Sequence, residues 1–540
     1  MSHPPVPSPN IDAAQAQQAL ADPTTSPGVL VQIAQAHPHL QAAVASHPNV
    51  YPDLLHWLDQ QGNPVVSGIV AQRRAMPTTA APPVAVPAET PPDRGSSGRA
   101  IWMVVVIGVV LVGLIALLIA TPWRPWRRNG GSTPMPGIGS NGGASSDTGQ
   151  ATPTPDVFAP HFSPIVMGGS QKDFFTDIAV ASDGSIVAVG YTRSTDGDFP
   201  PSHGSDDALI AKFSPDGTLL WARTNGGSGD DEFSSVTIVG EGNIIAAGNS
   251  ASVDGDFPPG HGQFGDAILV KYDANGTMQW AQNFDRAGGF DRFTSLANDG
   301  HDTIIAVGVA DSSYGESDGL ITAYDLDGKQ LWASITGDGH SGVTVADDGS
   351  IYAVGVTASD DALVAKYSSG GTLQWAASTG GSGIDHFAGV AIASDGSIVA
   401  VGTTMSSDGP FPPSAGATDA LIAKFSQGGT MQWAKTGGGT GYDSFNAVAV
   451  AADGSVYAVG DSQVNGVNDW PQALIAKYDS AGGVISKLVG GSDADCFNAV
   501  ALAADGSIIA AGFTASTDGD FPPSNGDWDA LLANFDPNFK

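Results

Sequence analysis

Three short loops carry the side chains whose spacing best suits chemistry. The string Asp-Gly-Asp-Phe-Pro-Pro occurs at 196–201, 254–259 and 518–523 and gives three carboxylate pairs: Asp196 and Asp198, Asp254 and Asp256, Asp518 and Asp520. Carboxylate oxygens are the ligands that calcium prefers, so these loops are calcium candidates. The alternative is a loop stiffened by proline in which the aspartates cap a turn.

Cysteine and histidine chemistry is sparse. A single cysteine, Cys496, excludes an internal disulfide framework. It precedes a recurrent Phe at a position where other repeats have Glu232, Arg292, His386 or Ser444, and no His or Asn stands in a defined relation to it, so we predict no catalytic thiol. The histidines at 37, 39, 47 and 56 are dispersed, which favours helix starts and surface positions over a zinc site. We expect no cofactor.

The three loops belong to a repeat that fills residues 162–540. Its most regular string, Asp-Ala-Leu-Ile-Ala-Lys-Phe, has seven degenerate copies, whose second positions are Ala208, Ala267, Gly319, Ala362, Ala420, Ala473 and Ala530. A period of roughly 50 residues with short strands and Gly-rich turns is typical of propeller blades.

Two hairpin signals recur in these units. The first is an acidic residue followed by Gly, as at Asp183-Gly184 and Asp395-Gly396. The second, such as Asp216-Gly217, lies between the Ala-Leu-Ile-Ala-Lys run and a run that contains Trp. Gly accepts the positive φ of a tight turn. Two hairpins predict four strands per unit, and hence an all-β propeller of seven four-stranded blades.

The two ends of the array indicate a closed ring. The last unit ends after its third strand, whereas 162–169 forms an extra strand before the first full unit. We expect this N-terminal strand to complete the seventh blade, which removes an open sheet edge. Ile, Val, Ala and Gly runs such as 186–190, 398–402 and 508–512 predict strands buried between blades.

The repeats resemble the bacterial β-propeller repeats of secreted and surface proteins, through strings such as Gly-Gly-Ser-Gly-Asp-Asp-Glu-Phe at 226–233 and the runs at 254–259 and 266–276. This resemblance implies a fold and leaves function open.

Residues 1–76 predict a separate all-α module of stacked short helices. Apolar residues recur at helical spacing at 11–20, 29–36, 40–45 and 54–58, with Pro near helix starts at 27, 38 and 52. The segment 21–58 resembles the variant leucine-rich repeat domain found at the N-terminus of bacterial membrane proteins. Some relatives hold an iron-sulfur cluster through cysteines, and this module has none.

Between the two modules lies a predicted single transmembrane helix at 100–121. Residues 100–120 carry no charge and are long enough to cross a hydrocarbon core of roughly 30 Å. A Pro/Ala-rich linker at 77–99 precedes it, and a Gly/Ser/Thr/Pro stalk at 122–161 follows it. The numbers of arginines on the two sides of this run are nearly equal, so they do not determine its orientation. From the stalk we predict that the N-terminus is cytoplasmic and the propeller extracellular.

Charge excludes one class of partner. Residues 162–540 hold 14 Lys and Arg against 47 Asp and Glu, a net 14 − 47 = −33 of the chain's −34. Nucleic acid binding needs clustered cations, so we expect no nucleic acid partner.

Two functions remain open. The first is a surface-displayed, non-catalytic binding module whose propeller meets a protein or glycan, while residues 1–76 meet a cytoplasmic protein. The second is an extracellular hydrolase or lyase with its site in the central funnel. Glu is confined to Glu232, Glu241 and Glu316 in the propeller, and Arg286 and Arg292 read as solvent charges, so the pattern favours binding.

Overall fold

The computed structural model describes residues 36–47 and 162–537, apart from 261–264, 287–288, 312–316, 464–469 and 481, and the separate positions 16, 20, 30, 33, 34, 58 and 66. The chain divides into two compact units, Met1–Gly95 and Ser96–Lys540. The second unit contains a seven-bladed propeller with four antiparallel strands per blade, as predicted.

Each blade is a meander whose strands follow one another from the centre outward. Blade 1 comprises β2 Asp173–Val180, β3 Ile186–Thr192, β4 Asp207–Phe213 and β5 Leu219–Asn225. Blade 2 comprises β6 Asp231–Val239, β7 Asn243–Ser250, β8 Asp266–Tyr272 and β9 Met278–Phe284. Blade 3 comprises β10 Asp291–Asn298, β11 Thr303–Asp311, β12 Ser317–Asp325 and β13 Gln330–Thr336. Blade 4 comprises β14 Gly339–Val345, β15 Ile351–Val356, β16 Ala362–Tyr367 and β17 Leu373–Thr379. Blade 5 comprises β18 Asp385–Ile392, β19 Ile398–Thr404, β20 Asp419–Phe425 and β21 Met431–Gly437.

Blade 7 closes the ring with strands from both ends of the array. Blade 6 comprises β22 Asp443–Val450, β23 Val456–Ser462, β24 Gln472–Tyr478 and β25 Val484–Val489. Blade 7 comprises β26 Asp495–Leu502, β27 Ile508–Thr514 and β28 Asp529–Phe535, with β1 Ile165–Met167 outermost. β1 pairs antiparallel with β28, Ile165 opposite Leu532. The predicted closure is confirmed, with the paired strand shorter than 162–169.

Local sequence explains the meander. Gly184 and Gly217, in the two hairpins of blade 1, have φ of 82° and 80°, a conformation that favours glycine. β3, β19 and β27 are buried along their whole length because small and β-branched side chains let neighbouring blades approach closely. The expected burial between blades is confirmed.

Tryptophan side chains of the outermost strand pack against the outer hairpin of the next blade. The ring of Trp221 lies against Gly276 in the outer hairpin of blade 2, and a Cβ added there would lie 2.8 Å from the ring. Trp332 also donates from Nε1 to Ser369 O of blade 4 at 3.1 Å. At the closing junction the ring of Phe162 lies against Gly217 in the same way.

The N-terminal unit has a small apolar core. A 3-10 turn at Pro38–Leu40 leads into helix α1, Gln41–Ser46, which agrees with the predicted helical run at 40–45. Val44 and Ala45 are buried with side chains of the separate positions, namely Ala16, Leu30, Ile33, Ala34, Leu58 and Val66. In the part of the chain that the structure describes, no helix is long and apolar enough to cross a membrane. The predicted linker, membrane span and stalk lie outside the described residues.

Candidate functional site at the channel mouth

The inner strands of the seven blades surround a central channel. Its cavity of about 290 Å³ is lined by residues of β2, β6, β10, β14, β18, β22 and β26. The loops between second and third strands and the connections between blades lie at the end where the inner strands begin. We call this end the loop face and the opposite end, which carries the tight hairpins, the hairpin face.

A ring of seven unlike residues lies at the loop-face end of the inner strands. Each occupies the position before the recurrent Phe, whose place His340 takes in blade 4. The ring, called the mouth ring below, consists of Phe174, Glu232, Arg292, Gly339, His386, Ser444 and Cys496. The seven blades therefore differ strongly in chemistry at this position.

Glu232 and Arg292 form an ion pair between blades 2 and 3. Their side chains are 22% and 11% exposed, with Arg292 Nη2 3.5 Å from Glu232 Oε2. Arg292 Nε also donates to Ser234 Oγ at 3.0 Å. Burial raises the pKa of Glu232, and the nearby Arg292 opposes that shift. The interpretation of Arg292 as a solvent charge was therefore wrong. Arg286 is partly exposed to solvent and pairs with Asp318.

Ser444, Asp461 and Cys496 meet between blades 6 and 7. Ser444 Oγ donates to Asp461 Oδ1 at 2.6 Å, and Cys496 Sγ lies 3.9 Å from the same oxygen. Burial raises the pKa of Asp461 to about 6 and that of the Cys496 thiol well above its usual value. Asn446 Nδ2 lies 3.4 Å from the sulfur, a neighbour that sequence reasoning missed. A buried, protonated thiol is a poor nucleophile.

His386 contacts Ser341 of blade 4. The distance from Nε2 to Ser341 Oγ is 2.8 Å, and burial lowers the pKa of His386 to about 4, so the imidazole is neutral at pH 7. Ser341 is the residue at which the inner strand bulges. The matching bulge residues Thr176 and Thr294 donate to carbonyls of the next blade, Phe233 O and His340 O. The Ser341–His386 contact thus resembles a bond that holds neighbouring blades together.

At the first position after the bulge of the inner strand, the channel has polar side chains in blades 1 to 3 only. Asp177 Oδ2 accepts from Ser235 Oγ at 2.7 Å and from Val236 N at 2.9 Å, and burial raises its pKa to about 6. The same position carries Ser235 and Ser295 in blades 2 and 3, and Gly342, Gly389, Ala447 and Ala499 in blades 4 to 7. The channel is therefore asymmetric.

An aromatic cluster adjoins the mouth ring where blade 7 meets blade 1. Phe174 stacks on Tyr191 and Phe513 stacks on Trp528, each with ring centroids 4.8 Å apart. Lys172 Nζ lies 5.1 Å from the centroid of Trp528. These rings are buried, so the cluster packs blade 7 against blade 1 beside the mouth ring.

The Asp-Gly-Asp-Phe-Pro-Pro loops use their carboxylates to hold the connections between blades. Asp196 Oδ1 accepts Ser170 N at 2.8 Å, and Asp198 Oδ2 accepts Gly168 N at 3.2 Å. The bond from Ser170 lowers the pKa of Asp196. Asp254, Asp256, Asp518 and Asp520 make the corresponding bonds in blades 2 and 7.

No three His, Cys, Asp or Glu side chains converge on a point that could hold a metal ion within the described residues. The three loops lie in different blades, so the structure does not bring their six carboxylates together. The calcium assignment of these loops stays a prediction.

Comparison with known proteins supports the N-terminal resemblance. Residues 14–74 match the family model of the Leucine Rich Repeat Variant domain. Among solved structures, BamB from Moraxella catarrhalis is 12% identical, with 68% of this chain and 100% of that chain covered at a TM-score of 0.35. A protein of unknown function from Bacteroides caccae is 10% identical, with 51% and 87% covered at a TM-score of 0.30. No curated protein matches the chain.

Proposed function

We propose that the propeller is a non-catalytic binding module whose ligand contacts the loop face around the mouth ring. The supporting observation is that unlike, chemically distinct side chains are concentrated at one end of the channel in an otherwise repetitive molecule. Binding sites are concave and combine apolar surface with a few placed polar groups. The partly exposed Glu232–Arg292 pair provides the polar groups. The aromatic cluster around Trp528 is buried and holds Phe174 of the mouth ring in place.

The contacts within the mouth ring favour binding over catalysis. Cys496 is buried and protonated, Asp461 accepts from Ser444, and Glu232 is neutralised by Arg292. These groups hold one another in place. A nucleophile would need a lowered pKa or a base positioned to accept its proton.

A hydrolase or lyase acting in the channel is the alternative, and the Ser341–His386 contact of 2.8 Å is the observation that favours it. A serine-directed fluorophosphonate probe distinguishes the two functions. The binding module predicts no labelling of Ser341, whereas labelling that disappears in Ser341→Ala would favour the hydrolase.

The chain's organisation supports a proposal for the location of the module. We propose that 100–121 spans the cell membrane, that the stalk at 122–161 holds the propeller outside the cell, and that residues 1–76 meet a cytoplasmic protein partner. The uncharged run and the net charge of −33 on residues 162–540 support this arrangement, because an acidic, soluble domain suits an aqueous exterior. The ligand would then be an extracellular protein or glycan.

Photo-crosslinking from the two faces tests the binding site. A photoreactive amino acid replaces exposed Thr195 on the loop face or, as the matched control, exposed Ser182 on the hairpin face of the same blade. We expect a discrete adduct on intact cells from position 195 only, and its loss in a Glu232→Gln, Arg292→Gln double variant that retains its melting temperature. Equal adducts from both positions, or an adduct unaffected by the double variant, would contradict the proposal.

A further inference from the structure

Buried carboxylates from neighbouring blades face one another where the blades meet. One aspartate begins the third strand of a blade, and the other begins the inner strand of the next blade. Between them lies the first glycine of the connection. A Cβ built on Gly226 would lie 2.6 Å from Asp207 Oδ1 and 2.6 Å from Asp231 Oδ2. The same arrangement recurs for Asp529 and Asp173 at Gly168. At Gly380 the partner of buried Asp385 is Asp361, which is half-buried and precedes β16.

The two members of each pair differ in how well they are hydrogen-bonded. Asp231 accepts from Ser250 Oγ, from Ser252 Oγ at 2.6 Å and from Gly227 N at 2.9 Å. Asp207 accepts His203 N on Oδ2 at 2.6 Å, while its buried Oδ1 has no hydrogen-bond partner. Both side chains are 0% exposed.

The closing junction repeats this asymmetry. Asp173 accepts from Thr192 Oγ1 at 2.5 Å, from Ser194 Oγ at 2.8 Å and from Gly169 N at 2.8 Å. Asp529 accepts Asn525 N on Oδ2 at 2.6 Å, and its buried Oδ1 has no hydrogen-bond partner. A buried carboxylate oxygen without a donor is costly while the group is charged, and it is satisfied if the group carries a proton.

The charges around these pairs do not compensate them. A further carboxylate lies at each of these two glycines: Asp256 Oδ2 accepts Gly226 N at 3.3 Å, and Asp198 Oδ2 accepts Gly168 N at 3.2 Å. The basic neighbour of Asp207 is His203, whose Nδ1 lies 3.3 Å away and whose side chain is 63% exposed. Two carboxylates that share a low-dielectric site cannot both ionise easily.

We propose that these blade junctions take up protons as the pH falls from neutral, so that the closed ring is most stable in mildly acidic surroundings. The inference goes beyond the proposed binding function, since it concerns closure of the ring and does not depend on any ligand. At the junction between blades 6 and 7, one member of the pair is uncharged at every pH. There Gln472 replaces one aspartate, and Gln472 Oε1 and Asp495 Oδ2 flank Gly490.

The direction of the titration follows from burial. Burial raises the pKa of Asp173 to about 6, and it also raises the pKa of Asp207, Asp231 and Asp529. A native pKa above the unfolded value means that the native state binds more protons. Proton binding therefore stabilises the native state. This stabilisation is fully present below the unfolded pKa of about 4 and is lost as the pH rises through the native pKa.

Thermal unfolding of the full-length protein in detergent, followed by tryptophan fluorescence at constant ionic strength, tests the proposal. We expect the melting temperature of the propeller to be roughly 5–10 °C higher at pH 5 than at pH 8. Asp207→Asn and Asp529→Asn reproduce the amide of the Gln472 junction. Each should raise the melting temperature at pH 8 and reduce the difference between the two pH values.

Three controls separate the junctions from other titrating groups. Asp302→Asn removes a charge at an exposed position and should leave the pH dependence unchanged. His203→Asn should also leave most of the pH dependence of the melting temperature, since the same pH effect at Asp529 involves no histidine. Millimolar calcium or EDTA should not alter the melting temperature at pH 8. A melting temperature independent of pH, asparagine variants that retain the full pH dependence, or stabilisation by calcium in place of protons would overturn the proposal.

Discussion

The first glycine of the Gly-Gly pairs at 168–169, 226–227 and 380–381 is required by its neighbours and not by its own φ. Gly226 has no Cβ where two carboxylate oxygens of adjacent blades approach to 2.6 Å, and both belong to buried side chains with no room to retreat. This explains why Gly-Gly recurs after the outer strand, a pattern that the sequence showed without a reason.

Gly226→Ala should therefore destabilise the propeller. We expect a loss of about 1–3 kcal/mol, because an added methyl group must displace the carboxylates of Asp207 or Asp231. Gly437→Ala is the matched control, since a Cβ at exposed Gly437 meets nothing within 4 Å. It should change stability by less than about 0.5 kcal/mol. Equal effects of the two substitutions in chemical denaturation would refute this explanation.

The first residue after the bulge of each inner strand determines whether a backbone amide of the next blade has a side-chain acceptor in the channel. Ser235 Oγ accepts Leu296 N at 3.0 Å and Ser295 Oγ accepts Val343 N at 3.3 Å, whereas Ala447 has no acceptor to offer Val500. Ala447→Ser should stabilise the propeller by about 0.5–1.5 kcal/mol. Ala499→Ser is the control, because Ile178 N already donates to Asp177 Oδ1 at 2.8 Å. An unchanged or lower melting temperature for Ala447→Ser would contradict the assignment.

Strand β1 is the element on which ring closure depends. It completes blade 7, while Phe162 packs against Gly217 of blade 1 in the manner of the tryptophans elsewhere. Near the axis, Asn498 Nδ2 donates to Phe175 O at 2.8 Å and joins blade 7 to blade 1 directly. Closure thus has an outer and an inner component.

Deletion of residues 162–169 should lower the melting temperature markedly, because it leaves β28 as an open edge and exposes the core around Phe162. Removal of eight residues from the stalk is the control and should have no effect. Calorimetry of both deletions decides the matter. A melt that does not change when 162–169 is lost would show that β1 is dispensable.

The architecture of the propeller could be predicted from the sequence, and the candidate site could not. Hairpin glycines such as Gly184 and Gly217 and the unpaired strand at 162–169 act locally, so they determine strand number and closure without knowledge of the fold. The mouth ring depends on convergence of seven inner strands, which brings Glu232 to Arg292 from residues 60 positions apart. In the sequence, the mouth ring is visible only as one variable position between a recurrent Asp and a recurrent Phe.

The proposed function depends on the proposed membrane span and on the side of the membrane that the propeller occupies, since that side decides what class of ligand the loop face can bind. Protease treatment of intact cells that express the protein with a different tag at each end measures this directly. We predict loss of the C-terminal tag and survival of the N-terminal tag, with lysed cells as the control in which both are accessible. Survival of the C-terminal tag with loss of the N-terminal one would place the propeller in the cytoplasm and contradict its role as a surface-displayed binding module.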